Sequence, residues 1–193
     1  MALVVITGGA RSGKSAAAQR LAESRQAAGD RVVTVVFADG DSDQEMAARI
    51  AHHRALRPPE FAVIEAGDAT TWRGEIPTDA LLVIDCLGTL AARLMDELPV
   101  ALDDDPAGFE AAFDAALNET ISWVVCRAGD TIVVTNEVGS GVVPAYASGR
   151  VFRDCLGRAG VTLVRVADAA YLAVAGRLID LTAAPCELSW PSE

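Results

Sequence analysis

Short apolar runs alternate along this chain with longer segments of helical character. The runs are rich in Val, Ile and Leu, as expected for strands that are buried on both faces of a sheet. We predict strands at residues 3–6, 32–37, 80–84, 131–135 and 161–166. Residues 171–174 form a sixth candidate strand, and residues 178–181 are a possible edge partner for it.

Helical segments separate most of these runs. They are predicted at residues 15–28, 43–56, 89–96, 109–127 and 147–159. Strands that alternate with helices predict an α/β fold with a mostly parallel sheet and helices on both faces. We expect one domain over residues 1–184, followed by a tail at residues 185–193 that is poorly ordered or a late addition.

A glycine loop stands between the first predicted strand and the first predicted helix. It reads G-x-x-x-x-G-K-S, the P-loop pattern, and its residues are Gly8, Gly9, Ala10, Arg11, Ser12, Gly13, Lys14 and Ser15. The glycines let backbone N–H groups point at phosphate oxygens, and the helix adds its positive end. Lys14 can reach the β- and γ-phosphates, while Ser15 can contact Mg²⁺. Because strand, loop and helix occur in the required order, we interpret this segment as a nucleotide site rather than a chance turn.

Charge and composition argue against binding to nucleic acid, to membranes or to a structural metal. The 193-residue chain has a formal net charge of −11, which disfavours binding to nucleic acid or anionic membranes. Its four cysteines are far apart, and we expect buried, reduced thiols rather than a metal site. We see no signal peptide and no membrane span, and therefore expect a cytoplasmic protein.

An acidic residue ends the apolar run at residues 81–84. Asp85 is in the position of a Walker B aspartate, which holds Mg²⁺ in P-loop proteins. The alternative is an aspartate that caps the following turn.

Both histidines of the chain fall within one predicted helix. At helical spacing His53 shares a face with Met46, Ile50 and Arg57, whereas His52 points away from that face. The neighbouring arginines suggest a bound anion and favour the neutral, nucleophilic imidazole. From spacing alone, a phosphate-facing His53 and an ordinary core histidine remain equally open.

Polar residues and glycines follow the predicted strand at residues 131–135. Asn136 is a candidate hydrogen-bonding group, and Glu137 is a candidate metal ligand or acid–base group in a possible substrate loop. A structural turn with an exposed glutamate is the alternative.

Together these segments resemble the bifunctional adenosylcobinamide kinase/adenosylcobinamide-phosphate guanylyltransferase family of cobalamin biosynthesis. The resemblance covers most of the chain from Thr7 to about Gly176. Its motifs occur in family order as T-G-G-A-R-S-G-K-S (7–15), E-M-A-A-R-I-A-H-H-R-A-L-R-P (45–58), I-D-C-L-G-T-L (84–90), T-N-E-V-G-S-G-V-V-P (135–144) and F-R-D-C-L-G-R (152–158).

The resemblance implies a P-loop NTPase-like fold and two reactions that use ATP or GTP with Mg²⁺. In the first, adenosylcobinamide is phosphorylated, with Lys14 among the catalytic residues. In the second, a histidine takes GMP from GTP and passes it to the phosphorylated cobinamide; His53 is the matching residue and His52 the second choice. The resemblance also implies a homo-oligomer, as a trimer. The implied contacts with GTP or its metal are Phe37, Ala38, Asp39, Arg54, Ala55, Leu56, Arg57, Glu65 and Asp85.

The chain departs from the family pattern at three places. F-A-D (37–39) replaces A-T-[AS], A-Y-A-S-G-R (145–150) replaces E-N-R-x-A-R, and G-R-A-G-V (157–161) replaces G-R-x-N-Q. The resemblance implies that the last two regions shape the corrinoid side of the site. Two alternatives stay open: a P-loop kinase for another small hydroxyl substrate, and a nucleotide-dependent switch. The lack of a convincing guanine-reading N-K-x-D motif argues against the switch.

Overall fold

The computed structural model describes residues 1–37, 58 and 60–187. In chain order the elements are β1 (Leu3–Gly8), α1 (Lys14–Ala27), β2 (Val32–Val36), β3 (Ala62–Glu65), a 3-10 helix (Thr71–Glu75), β4 (Leu81–Asp85), α2 (Leu87–Asp96), α3 (Pro106–Cys126), β5 (Thr131–Val134), α4 (Ala147–Val166), β6 (Ala169–Val174) and β7 (Arg177–Asp180).

The seven strands form one sheet in the order β3-β2-β4-β5-β1-β6-β7. Every neighbouring pair is parallel except β6 and β7, which form an antiparallel hairpin at one edge. Strand β5 therefore lies between β1, which leads into the glycine loop, and β4, which ends at Asp85. The carboxyl ends of these three strands meet at the edge where α/β sheets bind ligands.

Helices cover both faces of the sheet, as the sequence predicts. On one face, small residues of α1 such as Ala18 and Ala22 pack against Ile6, Val83 and Ile132. On the other face, α2, α3 and α4 pack against the alternate strand positions; the buried residues there include Val5, Val33, Leu82, Val133, Leu90, Phe113 and Leu156. This burial on both faces explains why the central strands read as continuous apolar runs. The predicted α/β fold with a mostly parallel sheet is confirmed.

Side-chain hydrogen bonds connect the amino ends of β1, β5 and β6, at the edge of the sheet opposite the glycine loop. The Asp130 carboxylate accepts the amide of Ala2 at 2.7 Å and a guanidinium N–H of Arg25 at 2.7 Å. The Asp168 carboxylate accepts the amide of Leu3 at 2.7 Å. Since Arg25 lies at the end of α1, these bonds fix β1 and α1 relative to β5, and so fix the loop between them.

The strand predicted at residues 161–166 is wrong, because these residues form the last turns of α4. Their β-branched content suggests a strand, but the buried positions Leu156, Ala159 and Leu163 recur at helical spacing. In addition, the sequence did not predict β3, a four-residue edge strand with three exposed residues. The helix predicted at residues 43–56 lies outside the described residues.

Within the described part of the chain, no helix has both the length and the apolar content that crossing a bilayer requires.

Candidate nucleotide-binding site

The glycine loop leaves β1 at Gly8 and enters α1 at Lys14 through backbone conformations that favour glycine. Gly8 has φ 151° and Gly13 has φ 100°. A Cβ atom at Gly8 would lie 2.4 Å from the carbonyl oxygen of Ala173, so no larger residue fits there without moving β6. Gly13 is the N-cap of α1, and no side chain caps the first turn. The amides of that turn therefore face the loop, as in an anion site.

Lys14, the first residue of α1, is buried beside the glycine loop. Its side chain is 7% exposed. Its ammonium group donates a hydrogen bond to the carbonyl oxygen of Gly9 at 2.6 Å. A cation is thus buried next to amides that are suited to phosphate oxygens, which is the charge arrangement that a polyphosphate needs.

Ser15 and Asp85 meet although 70 residues separate them. The Ser15 hydroxyl donates to a carboxylate oxygen of Asp85 at 3.0 Å. Both residues were predicted to contact Mg²⁺, and the structure brings their oxygen atoms together beside the loop. A hydroxyl and a carboxylate are hard oxygen ligands of the kind that Mg²⁺ takes together with substrate phosphates.

The segment after β5 adjoins the glycine loop through its main chain. The Glu137 amide donates to the carbonyl oxygen of Gly8 at 3.0 Å. The Glu137 carboxylate, however, accepts from the Gly139 amide at 2.8 Å and from the Ser140 hydroxyl at 3.4 Å, within its own turn. This contact matches the structural alternative for Glu137, and its catalytic role stays a prediction.

Asn136 lies on the side of the site that carries Asp85. Its amide oxygen accepts a weak hydrogen bond from the Cys86 thiol at 3.4 Å. It also fills the space above Gly88, where an added Cβ would come within 2.5 Å of the same oxygen. Asn136 thereby joins the end of β5 to the start of α2, directly after Asp85.

The structure adds residues that the sequence analysis did not single out. The amide of Gly176, in the β6–β7 turn, donates to the carbonyl oxygen of Ser12 at 2.9 Å. The Thr135 hydroxyl at the end of β5 is buried and, within the described residues, has no hydrogen-bond partner. A glycine between the apolar runs at 171–174 and 178–181 is a hairpin signal that could have indicated the turn, although not its contact with the loop.

Comparison with known proteins agrees with this geometry. A sequence profile described as "Cobinamide kinase / cobinamide phosphate guanyltransferase" (CobU) matches residues 4–181. The chain belongs to this CobU family. The resemblance inferred from the motifs is therefore confirmed.

Curated relatives match over nearly their whole length. The bifunctional adenosylcobalamin biosynthesis protein CobU of Salmonella typhimurium is 34% identical over 183 residues, covering 90% of this chain and 96% of the relative. CobU of Escherichia coli is 31% identical over 186 residues, with 90% and 96% covered. CobP of Pseudomonas aeruginosa is 34% identical over 183 residues, with 94% and 98% covered. Among solved structures, the KaiC-like protein PH0186 of Pyrococcus horikoshii gives a TM-score of 0.48 at 16% identity, covering 89% of this chain and 70% of that one.

Several residues that the CobU resemblance implicates lie outside the described part of the chain. They are Ala38, Asp39, His52, His53, Arg54, Ala55, Leu56 and Arg57. Besides Asp85, the described residues include two of the implied nucleotide contacts, Phe37 and Glu65. Phe37 is buried and packs edge-on against Trp72, with ring centroids 5.4 Å apart. Its side chain therefore belongs to the core, and a nucleotide contact at this position would come from the main chain. Glu65 is exposed at the end of β3, in register with Val36.

A second cluster of ligand-type groups lies away from the glycine loop, between α3 and α4. Glu110, Asp114 and Cys155 approach one another closely. The Arg158 guanidinium donates to both carboxylates, at 2.7 Å each, and so satisfies their charge. Burial raises the pKa of the Cys155 thiol to about 12, with a smaller contribution from Asp114. The cluster is thus a helix–helix ion pair over a protonated thiol. All four cysteines are free and Cys155 is buried as expected, but Cys86 is only partly buried and Cys126 and Cys186 are exposed, so the expectation of buried thiols is wrong for the last two.

Proposed function

We propose that this chain carries out both reactions of the CobU family. It transfers the γ-phosphate of ATP or GTP to the hydroxyl of the aminopropanol arm of adenosylcobinamide. It then transfers GMP from GTP to the phosphorylated product, giving adenosylcobinamide-GDP. The supporting structural observation is the contact between Ser15 and Asp85 beside a complete glycine loop, in a chain that matches the family from residue 4 to residue 181.

In the kinase step, the glycine loop and Lys14 hold the triphosphate. The Lys14 ammonium, which donates to the carbonyl oxygen of Gly9 within the loop, is placed to interact with the β- and γ-phosphate oxygens. The acceptor hydroxyl attacks the γ-phosphorus, the bond from this phosphorus to the bridging oxygen breaks, and the hydroxyl proton is released. Stabilisation of charge on the phosphate oxygens is the main contribution of the loop.

Ser15 and Asp85 are the residues that would hold Mg²⁺. Their oxygen atoms, 3.0 Å apart, fit a shared ion whose remaining ligands are phosphate oxygens and water. When bound, the ion neutralises charge on the phosphates during transfer.

In the guanylyl transfer step, we assign the nucleophile to His53. The imidazole nitrogen attacks the α-phosphorus of GTP, and pyrophosphate leaves. A phosphate oxygen of the phosphorylated cobinamide then displaces the histidine. Covalent catalysis splits one difficult displacement into two easier steps. Arg54 and Arg57, the basic residues next to His53 in the sequence, are suited to the phosphate charge.

Labelling with α-³²P-GTP tests this assignment directly. Wild type and His52→Ala should retain label on a denaturing gel, whereas His53→Ala should not. The bond should be acid-labile, as expected for phosphorus bound to a histidine nitrogen. Absence of label from wild type would remove the guanylyltransferase and favour a kinase for another hydroxyl substrate or a switch on the same loop.

We further propose that residues 1–184 form one transferase domain that acts in the cytoplasm as a homo-oligomer. The family resemblance implies a trimer, and light scattering of the purified protein would measure the mass. The expected result is three times the mass of the 20.1 kDa chain. A monomeric mass would contradict the oligomer without affecting the assignment of the two reactions.

A further inference from the structure

The turn between β6 and β7 forms one wall of the glycine loop. Strand β6 pairs with β1 as far as the last residue of β1. The chain then turns back through Ala175 and Gly176, whose positive φ angles of 49° and 77° are those of a tight type I′ turn. The Gly176 amide donates to the carbonyl oxygen of Ser12 at 2.9 Å, and a Cβ added at Gly13 would lie 3.3 Å from the Gly176 Cα. The turn therefore lies directly beside the residues through which the loop enters α1.

The groups suited to the terminal phosphates lie on the opposite side of the loop. Neighbouring strands follow the order β4-β5-β1-β6-β7. Asp85 ends β4 and accepts the Ser15 hydroxyl bond at 3.0 Å, so the pair that would hold Mg²⁺ lies on the β4 side of β1. The β- and γ-phosphates share such an ion. The other end of the phosphate chain, which carries the nucleoside, therefore points toward β6 and β7, and neighbouring strands are only about 4.8 Å apart.

Val174 and Arg177 flank this turn as a cross-strand pair. They are direct partners in the register of β6 and β7, a relation that puts the two Cβ atoms roughly 5 Å apart on one face of the hairpin. Val174 is 48% exposed. Arg177 is exposed as well, and within the described part of the chain its guanidinium has no hydrogen bond or ion pair. An exposed apolar side chain next to this planar cation suits the flat face of an aromatic ring.

The turn offers contacts to the face of a base rather than to its edge. Ala175 and Gly176 have no polar side chain, and Val174 has no hydrogen-bonding group in its side chain. Stacking of an arginine on a base tolerates different bases, because every base has a π-face. A subsite of this kind accepts adenine and guanine alike, which is the property that a phosphoryl donor of either kind, ATP or GTP, requires.

We propose that the β6–β7 turn is the nucleoside subsite of the phosphoryl donor, and that the purine lies over Val174 and Arg177. The inference deepens the proposed kinase reaction and rests on it. The subsite is separate from Phe37 and Glu65, the GTP contacts that the family resemblance implies, because β4 and β5 lie between β1 and the strands that precede those residues. The nucleosides of the phosphoryl donor and of the guanylyl donor thus lie on opposite sides of the glycine loop.

Two arginine variants with the same change in charge provide the main test. Arg177→Ala removes the stacking group, whereas Arg165→Ala removes an exposed guanidinium in the last turn of α4, next to the amino end of β6. In calorimetry, Arg177→Ala should raise the Kd for ATP by about threefold to tenfold. The KM for ATP and for GTP as phosphoryl donors should rise by a similar factor with kcat unchanged, because the contact is equal in the ground state and the transition state. Arg165→Ala should match wild type in each measurement.

Inorganic tripolyphosphate separates a nucleoside contact from a phosphate contact. This probe occupies the glycine loop but has no base, so its Kd should be the same in Arg177→Ala and wild type. Arg177→Lys keeps the positive charge and loses the planar group, and should therefore bind ATP more weakly than wild type. Covalent labelling by α-³²P-GTP should be retained in Arg177→Ala, because that donor places its nucleoside on the other side of the loop.

The results distinguish this inference from the proposed function. If wild type binds ATP and phosphorylates adenosylcobinamide while Arg177→Ala keeps the wild-type Kd and KM, the nucleoside subsite is wrong and the function stands. Equal weakening of tripolyphosphate and ATP in Arg177→Ala, or wild-type ATP affinity in Arg177→Lys, would show a charge contact with the phosphates and would also overturn the inference. Loss of the label in Arg177→Ala would contradict the separation of the two nucleosides. If wild type binds neither ATP nor tripolyphosphate, the glycine loop is not a nucleotide site and both proposals fail.

Discussion

The amide of Gly176 donates a hydrogen bond to the carbonyl oxygen of Ser12 across 2.9 Å, which joins the β6–β7 turn to the glycine loop. The main chains of the turn and the loop also pack closely, since a Cβ added at Gly13 would lie 3.3 Å from the Gly176 Cα. The antiparallel hairpin at this edge of the sheet therefore supports the glycine loop. The β6–β7 hairpin lies at the edge of the sheet, and its turn nevertheless helps to hold the glycine loop of the nucleotide site.

Gly176→Ala should weaken ATP binding by perturbing this brace. Gly176 has φ 77°, and a residue with a Cβ in the left-handed region costs roughly 1–2 kcal/mol. The turn would relax by moving its amide away from Ser12. We expect the Kd for ATP, measured by calorimetry, to rise by about fivefold to tenfold.

The adjacent residue is the control for this experiment. Ala175 also has a left-handed backbone, with φ 49°. Ala175→Gly relieves strain in the same turn and should leave the Kd unchanged or lower. Equal ATP affinity in Gly176→Ala and wild type would show that the turn does not brace the loop.

The contact between Gly176 and Ser12 also marks the limit of what the sequence could predict. The glycine loop itself could be predicted, because the pattern from Gly8 to Ser15 is contiguous in sequence and each residue type in it has a known role in binding phosphate or Mg²⁺. The meeting of Ser15 and Asp85 could be predicted because Asp85 ends the parallel strand β4 and Ser15 begins the helix that the glycine loop joins to the parallel strand β1. The bond from Gly176 depends on the pairing of β1 with β6, which are distant in sequence, and no local pattern encodes that pairing.

The error at residues 161–166 has a related cause. The run V-T-L-V-R-V has the β-branched composition of a strand. Its helical state is decided by packing, since Leu163 is buried on the face of α4 that meets the sheet while Val161 and Val166 stay exposed. Tertiary burial outweighs a modest local preference here.

Asp85→Asn should abolish most phosphoryl transfer while preserving the fold. The amide oxygen of asparagine still accepts the Ser15 hydroxyl bond, but the negative charge that would hold Mg²⁺ is lost. We expect kcat for adenosylcobinamide phosphorylation to fall by about a hundredfold or more. Asp104→Asn, an exposed position in the acidic segment before α3, should retain wild-type kcat. Retention of full activity by Asp85→Asn would remove Asp85 from the proposed site.

Arg127→Lys should destabilise the protein without touching the nucleotide site. Arg127 is 9% exposed, and its guanidinium donates to the carbonyl oxygens of Asp130, at 2.7 Å, and of Ala80, at 2.9 Å. Burial lowers the pKa of Arg127, although its carbonyl partners keep the charge satisfied. A lysine cannot reproduce the planar fork, and we expect a loss of about 2–4 kcal/mol in the free energy of unfolding.

Urea unfolding is the measurement for Arg127→Lys, with Arg165→Lys as the control at an exposed position in the last turn of α4. The control should unfold at the wild-type midpoint. An unchanged midpoint for Arg127→Lys would show that its bonds to the strand ends contribute little to stability.

Asp130 should make the stability of the protein depend on pH in the acid range. The amide of Ala2 and then the Arg25 guanidinium hold the pKa of Asp130 below its ordinary value of 3.8. A carboxyl whose pKa is depressed by folding adds stability above its unfolded pKa and loses that contribution as the pH falls through its folded pKa. Asp130→Asn should therefore be less stable than wild type at pH 7, by roughly 1 kcal/mol for a partly exposed, charge-assisted pair.

Thermal unfolding of wild type and Asp130→Asn from pH 7 to pH 2 measures this dependence. The gap between the two melting temperatures should hold above the ordinary pKa of an aspartate and close as the pH falls below it. Because Asp130 joins the starts of β1 and β5 to the end of α1, the lost stability reflects loosening of the elements that carry the glycine loop. A gap that stays constant down to pH 2 would show that the Asp130 carboxylate does not gain stability from its charge.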